Sequence, residues 1–218
     1  MKDIFIIGAG GVGRETAQLI EDINRVNSEW HILGFIDDNS SLWGKSINGY
    51  EVVGGSEYLN TFDGSAYAVC TISNPRIKKV ALSKINNLKI RFANLIHPTA
   101  LVSSSATLGS GLIIQAYCIV STNVFICDHV QLNPQCGIGH DSIIGGFSSL
   151  YWNVNISGNV KVGEGCVLGT KTTVIQGLKV GEWSIIGANA TIIEDIPTGC
   201  TAVGTPAKPI KFNKECNI

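Results

Sequence analysis

Residues 140 and 141 are a histidine and an aspartate, side by side in the stretch Ile138-Gly139-His140-Asp141-Ser142-Ile143. An imidazole titrates near neutrality, so it can take a proton from an incoming amine or hydroxyl, and a carboxylate partner can orient the ring and raise its basicity. Adjacency in sequence does not prove a contact, and ordinary turn chemistry accounts for the same pair. Near the amino end, Gly8, Gly10 and Gly13 spell GxGxxG between an apolar run and a helical stretch. That spacing lets the backbone approach a phosphate and lets a helix amino terminus hold its negative charge. Asp37 stands at the end of the second apolar run, where a ribose hydroxyl could be bound. Taken literally, this is a dinucleotide fold. Against NAD, the segment has too few strands for a full doubly wound sheet and the rest of the chain offers no hydride-transfer domain. A nucleotide moiety of another kind is favoured, with a mere tight strand-to-helix turn as the alternative.

The other candidates are weaker. His31 precedes a strand and reads as a surface residue, His97 before Pro98 as a junction residue, and His129 beside Asp128 as a solvated corner residue. The seven cysteines are odd in number and lack CxxC spacing, so neither a disulfide framework nor a zinc knuckle is expected, and no metal is implied. Cys118, Cys136 and Cys166 read as reduced core fillers, since none has a neighbouring base.

The chain has 218 residues, enough for one large or two small domains that bury a core without disulfides. Its net charge is −1, with 16 basic against 17 acidic residues, which leaves no electrostatic footprint for nucleic acid or anionic membrane. Mean hydropathy is high at +0.23, yet no apolar run approaches the roughly eighteen residues that span a bilayer. The stretch Ile4 to Ile7 is too short for a signal-peptide core and no small-residue cleavage site follows it, so a cytoplasmic location is expected.

The elements that must position these residues fall into two halves. From Val102 to Ile192 every sixth residue is aliphatic, sixteen times in succession. With Val, Ile and Leu at roughly a quarter of the chain, the odds of that by chance are on the order of 10⁻⁹. A small or apolar residue usually follows four positions later, as at Cys118, Val124 and Val154. A six-residue period with one large and one small inward position fits a triangular coil, each hexad supplying a short strand and a tight corner, and three hexads making one coil. Gly, Asn and Asp supply the backbone angles of the corners.

The first ninety-five residues alternate short apolar runs with helical stretches, as an α/β unit does. Strands are expected at Ile4 to Ile7, Ile32 to Ile36, Tyr67 to Ile72 and Ile90 to Ile96, with helices from Arg14 to about Ile23 and from Asn74-Pro75 through Lys84. The Gly- and Ser-rich segment Ser40 to Ser56 reads as a surface loop with a possible short hairpin.

The short Gly8-Ala9-Gly10-Gly11-Val12-Gly13 domain ending in Leu95-Ile96-His97-Pro98, the hexad array, Asn133 seven residues ahead of His140-Asp141, and the closing Val203-Gly204-Thr205-Pro206-Ala207-Lys208 combine into a recognisable whole. Together they resemble the nucleotide-sugar N-acetyltransferase and sialic acid O-acetyltransferase family of hexapeptide-repeat acyltransferases, which includes the bacillosamine and perosamine acetyltransferases. The resemblance covers essentially the whole chain. It implies an α/β domain with a small Rossmann-like parallel sheet over residues 1–97, then a left-handed parallel β-helix with a C-terminal tail over 98–218. It also implies an acetyl-CoA-dependent N-acetyltransferase acting on a nucleotide-linked amino sugar for surface glycan assembly; the alternatives are a sugar O-acetyltransferase of the sialic acid type and a non-catalytic trimeric binding protein. By the same resemblance His140 is the general base and Asp141 raises its basicity. Gly10, Gly11 and Val12 hold the nucleotide-sugar, Asp37 and Asp38 meet its base or ribose, and Asn133 lies on the substrate side. Acetyl-CoA lies between adjacent helices of a homotrimer, against Gly158, Thr170 and Ala188. Trimerisation is expected also from flat, moderately apolar outer faces.

Two departures from the family pattern stand out. Ser149 occupies the position of a second histidine that contacts the acetyl donor in relatives, and Tyr151 and Trp152 are bulkier than usual there. A serine hydroxyl still offers one hydrogen bond to the donor. Ser73-Asn74-Pro75 replaces a Gly-Asp-Asn turn, so Ser73 takes the place of a sugar contact.

Overall fold

In the computed structural model, which describes residues 1–212, the first apolar run is strand β1 (Lys2–Ile7). Ile4, Phe5 and Ile6 are at most 1% exposed, as in a central parallel strand covered on both faces. Helix α1 (Gly11–Val26) follows and buries Thr16, Ala17, Leu19, Ile20 and Ile23 at helical spacing. It starts three residues before the expected Arg14. Glycine is a poor helix former, but here packing decides: Gly13 lies so close to Gly8 that a Cβ on it would strike the Gly8 carbonyl.

The rest of this unit comprises β2 (Trp30–Ile36), β3 (Ser46–Ile47), β4 (Tyr50–Gly54), α2 (Ser56–Thr61), β5 (Ala66–Cys70), α3 (Pro75–Ser83), β6 (Ile90–Phe92) and β7 (Leu95–Ile96). The sheet runs β3-β4-β2-β1-β5-β6, parallel except for the β3–β4 hairpin. The six strands include the short hairpin expected within Ser40 to Ser56, formed by β3 and β4, and that segment is not merely a surface loop. Val52 is fully buried and pairs opposite Phe35, so tertiary packing makes a strand of a segment that glycines disguise. The chain leaves β1 for β2 and β4, then returns to the other side of β1 for β5. That reversal creates a crevice at the carboxyl ends of the central strands.

A second unit begins at Thr99. Sixteen two-residue strands, β8 to β23, run from Leu101–Val102 to Thr191–Ile192, each ending on one of the periodic aliphatics. They form three parallel faces. The first face stacks the strands at Leu101, Ile119, Gly137, Asn155, Thr173 and Thr191; the second those at Thr107, Phe125, Ile143, Lys161 and Lys179. The third contains those at Ile113, Gln131, Ser149, Val167 and Ile185. Partners are eighteen residues apart, as in Leu132↔Leu150 and Ile138↔Ile156. The inward aliphatics from Ile114 to Ile192 are all buried, while Val102 and Leu108 in the opening coil are half-buried. Strand β24 (Cys200–Val203) extends the third face and β25 (Lys208–Phe212) folds back on it antiparallel. Residues 213–218 of the expected second domain lie outside the described residues.

At every corner from residue 111 to residue 189, in steps of six, φ lies between +57° and +77°. Asn123, Asp141 and Asn153 fit the expectation for such corners, but Tyr117, Phe147, Lys171 and Trp183 adopt the same conformation. A left-handed residue with a Cβ costs roughly 1–2 kcal/mol. Ladder bonds across the corners, such as Asp141 N–H to Thr122 O at 3.0 Å and Asn159 N–H to His140 O at 2.7 Å, impose it regardless of residue type. His129 is half-buried and stacks on Phe147 with ring centroids 5.4 Å apart, rather than standing in solvent. The thiols of Cys118, Cys136 and Cys166 are buried and donate to carbonyls of the next coil. Burial pushes the Cys166 thiol up to about 12, away from thiolate chemistry. Among the described residues no helix is long and apolar enough to cross a membrane.

The continuous interior makes each inward aliphatic a stability determinant. Ile144→Ala, at a fully buried position, is expected to lower the unfolding free energy by about 2–5 kcal/mol in urea denaturation; a loss under about 1 kcal/mol would mean that the coils do not share a packed core.

Candidate active site

His140 sits at the corner between the first and second faces, after the strand at Gly137 and before the strand at Ile143. Its ring points outward, with the side chain 63% exposed. Nδ1 lies 2.8 Å from Asp141 Oδ2. Because a carboxylate only accepts, Nδ1 carries the proton and the Nε2 lone pair is left free. Sequence adjacency becomes contact here because Asp141 takes the left-handed corner conformation, φ 58. Its other oxygen, Oδ1, accepts from Asn123 Nδ2 at 3.0 Å. The bonds from His140 and then Asn123 hold the Asp141 carboxyl below the usual carboxylate range, so it stays anionic wherever an imidazole titrates. One coil further on lies Gly158. A Cβ there would come within 2.5 Å of His140 Nε2 and 2.6 Å of Cε1, so the missing side chain is what makes room for the ring. Such an arrangement can accept a proton at Nε2 while Asp141 steadies the imidazolium that results.

The glycine motif divides into two kinds. Gly8 has φ +103 and a Cβ there would meet Thr71 Oγ1 at 2.7 Å, while Gly13 is closed off by the Gly8 carbonyl. Both are required by the protein's own packing. Gly10 and Gly11 are exposed, and a Cβ on Gly10 would meet nothing within 4 Å. Gly10 caps α1 with no side-chain bond, and no acidic residue stands in the first turn. The amide groups of Gly11 and Val12 therefore open an uncompensated positive helix end, suited to a phosphate.

Beside this turn is a cavity of about 310 Å³ floored by Ile7, Ile36 and Ile72, walled by Ile77 and Val80 of α3, and rimmed by Asp37, Asp38, Ser56 and Lys84. A neighbouring cavity of about 630 Å³ shares Asp38, Ser56 and Lys84 and adds Trp43 and Tyr58. Asp37 does less at the surface than the sequence suggests, because its oxygens accept from the amides of Ala9 at 2.9 Å and Asn39 at 2.9 Å. It pins the glycine loop, and each oxygen keeps a lone pair for a further donor. Asp38 Oδ1 accepts from Ser56 N and Oγ, both at 2.8 Å, and Oδ2 pairs with Lys84 Nζ at 3.0 Å. Those partners, the Ser56 amide foremost, hold the Asp38 carboxyl low. Ser73 is half-buried in the turn from β5 to α3, next to the lining residue Ile72. Ser56 and Lys84 were not legible as rim residues, since neither belongs to a motif; only the fold brings them to Asp38.

The remaining candidates are not gathered around His140 within one chain. Thr170 and Ala188 are exposed and stack at the corner between the third and first faces, where Asn189 N–H bonds to Thr170 O at 2.8 Å. Asn133 lies along that same corner and is 4% exposed, its Oδ1 accepting from Gln131 Nε2 at 2.7 Å. Ser149 is on the third face and 1% exposed. The hydroxyl is thus inside this chain, not offered on its surface as the sequence suggests. Among the described residues no group of His, Cys, Asp and Glu could hold a metal ion.

Residues 3–85 match the PglD N-terminal domain family. Over 212 residues the chain is 32% identical to the GDP-perosamine N-acetyltransferase of Escherichia coli O157:H7, spanning 94% of this chain and 95% of that protein. The crystal structure of PerB from Caulobacter crescentus, in complex with CoA and GDP-perosamine, is similar with a TM-score of 0.86 at 27% identity, over 97% of this chain and 98% of that one. The acetyltransferase domain of PglB from Neisseria gonorrhoeae, in complex with acetyl coenzyme A, gives a TM-score of 0.86 at 30% identity, over 96% and 99% of the two chains. With two units in the same order along almost the full length of these proteins, the chain belongs to the perosamine and bacillosamine type of nucleotide-sugar N-acetyltransferases, hexapeptide-repeat enzymes that join a Rossmann-like sheet to a left-handed parallel β-helix.

Proposed function

We propose that this chain transfers the acetyl group of acetyl-CoA to the amino group of a nucleotide-linked amino sugar, in the cytoplasm, as a step of surface glycan assembly. The observation that carries this reading is the outward imidazole of His140, held at Nδ1 by Asp141 and resting its Nε2 over a residue with no side chain. The named activity of the Escherichia coli relative and the ligands of the two solved relatives support it.

The amine nitrogen attacks the thioester carbonyl and hands its proton to His140 Nε2. Asp141 stabilises the imidazolium, hydrogen-bond donors near the carbonyl steady the oxyanion, and collapse of the tetrahedral intermediate expels the CoA thiolate, which takes the proton back. The nucleotide end is held by the α1 amino terminus at Gly10, Gly11 and Val12. The diphosphate meets the helix dipole and Lys84, and the base meets the apolar crevice beside Asp37, Asp38 and Ser73. In a homotrimer the edge carrying His140 and Gly158 faces the edge carrying Thr170, Ala188 and Asn133 of another protomer. Acetyl-CoA then lies between two edges that one chain alone keeps apart. Ser149 enters this reading by the family position alone.

Incubation with labelled acetyl-CoA and paired amino and hydroxyl sugar nucleotides is expected to give acetamide product; ester product alone would replace N- by O-acetylation, and no product would leave a binding protein. His140→Ala should lower turnover about 10²–10⁴-fold with acetyl-CoA binding retained; unchanged turnover would remove His140 from the mechanism. Gly10→Val, at an open position with an ordinary φ of −73, should raise KM for the nucleotide sugar at least about tenfold, a change of about 1.4 kcal/mol in binding, while the poorer N-cap costs no more than about 2 kcal/mol of stability. Equal KM values would place the phosphates elsewhere. By NMR the Asp141 carboxyl should titrate below the ordinary carboxylate range and move up in His140→Ala, which removes the first cause of its depression. Because its folded pKa is depressed, any stability it contributes is present above the unfolded value and lost as pH falls through the folded one. A midpoint that ignores His140→Ala would mean that the pair is not formed in solution.

A further inference from the structure

The hydrogen bonds at the His140 corner do not stop at Asp141. Asp141 Oδ2 faces His140 Nδ1 at 2.8 Å and Oδ1 accepts from Asn123 Nδ2 at 3.0 Å. The backbone amide of Asn123 donates in turn to Ser105 Oγ at 3.1 Å, and Ser105 Oγ lies 3.0 Å from Ser103 Oγ. Residues 105, 123 and 141 are each eighteen apart, one per coil. Asn123 and Asp141 share the left-handed corner conformation, φ 57 and 58, so their side chains leave stacked coils in parallel. A carboxylate gripped at one oxygen can still turn about its last torsion, which is broad for Asp. Gripped at both oxygens, its plane is set, and with it the direction of the His140 ring. The donor must be neutral and have reach: an aspartate at residue 123 would face Asp141 with like charge, and a serine would fall short.

We propose that Asn123 is a positioning residue for the reaction, fixing the Asp141 carboxylate so that His140 Nε2 is held over Gly158. The inference rests on the assignment of His140 as the base. It gives Asn123 no contact with either substrate, so its loss should act on turnover and not on binding.

Asn123→Gly removes the side chain without backbone strain, since glycine already occupies equivalent corners at Gly111, Gly165 and Gly177 with positive φ. Its circular-dichroism melt should match the unsubstituted protein. Turnover is expected to fall about tenfold, the scale on which small misplacements of a catalytic group act, with KM for acetyl-CoA and for the nucleotide sugar within about twofold. In an Asp141→Gly background the same substitution should change turnover less than about twofold, because the group it positions is gone. Asn123→Gln keeps the amide in a corner type that Gln135 already occupies at φ 64, and should be faster than Asn123→Gly. Normal turnover in Asn123→Gly, full additivity with Asp141→Gly, or a glutamine variant slower than the glycine variant would each overturn the proposal. Should His140→Ala retain turnover, the base assignment fails first; should it be inactive while Asn123→Gly is normal, only the role of Asn123 fails.

Discussion

The parallel ladder that joins each residue of the second unit to the one eighteen positions later is the constraint on which the rest depends. It fixes the corner backbone in the left-handed region whatever side chain is present, from Asn123 to Trp183, and it turns sequence spacing into vertical columns. Every chemical feature of this unit is a column. Asn123 stands over Asp141, His140 over Gly158, and Thr170 over Ala188. A side chain on one coil is positioned by its neighbours on the next, so the coil is both scaffold and site. Rigidity of this kind suits a general base, whose effect depends on small displacements.

The first unit follows a different logic. Its crevice arises because strand order reverses about β1, and the same reversal delivers residues from separate connections to one rim. Asp37 is spent on the loop it was expected to complement, and Asp38 is shared between Ser56 and Lys84. Within one motif, then, Gly8 and Gly13 serve the fold, while the packing leaves Gly10 and Gly11 without a reason to be glycine. Under the proposed function, a phosphate at the α1 amino terminus supplies the reason for the second pair.

The hexad beat made the β-helix legible strand by strand, because inward burial is enforced at every sixth position with no tertiary choice left open. His140 and Asp141 were legible as chemistry, but their contact depends on a corner angle that adjacency does not state. Asn123 could have been found by counting back eighteen from Asp141. A short hairpin was legible in the Ser40 to Ser56 segment, but the place of β4 inside the sheet was not, because glycines and serines mask a segment that pairing with Phe35 and Ile36 of β2 holds there. Asn133 and Ser149 were identified by family position, which says where a residue sits along the chain but not how far the rest of the chain covers it. Ser56 and Lys84 carry no pattern; they matter through long-range contacts alone.

The arithmetic of the coil also restricts how such a chain can change length. Losing one residue between Ile138 and Ile144 would exchange inside for outside in everything downstream. Gaining six would keep the interior intact yet slide each later edge round by a third of a revolution, parting His140 from Gly158. Only whole turns of eighteen keep the interior and the edges in phase, so descendants of this scaffold can grow or shrink in quanta, and a quantum placed after Ala188 leaves the chemistry where it was.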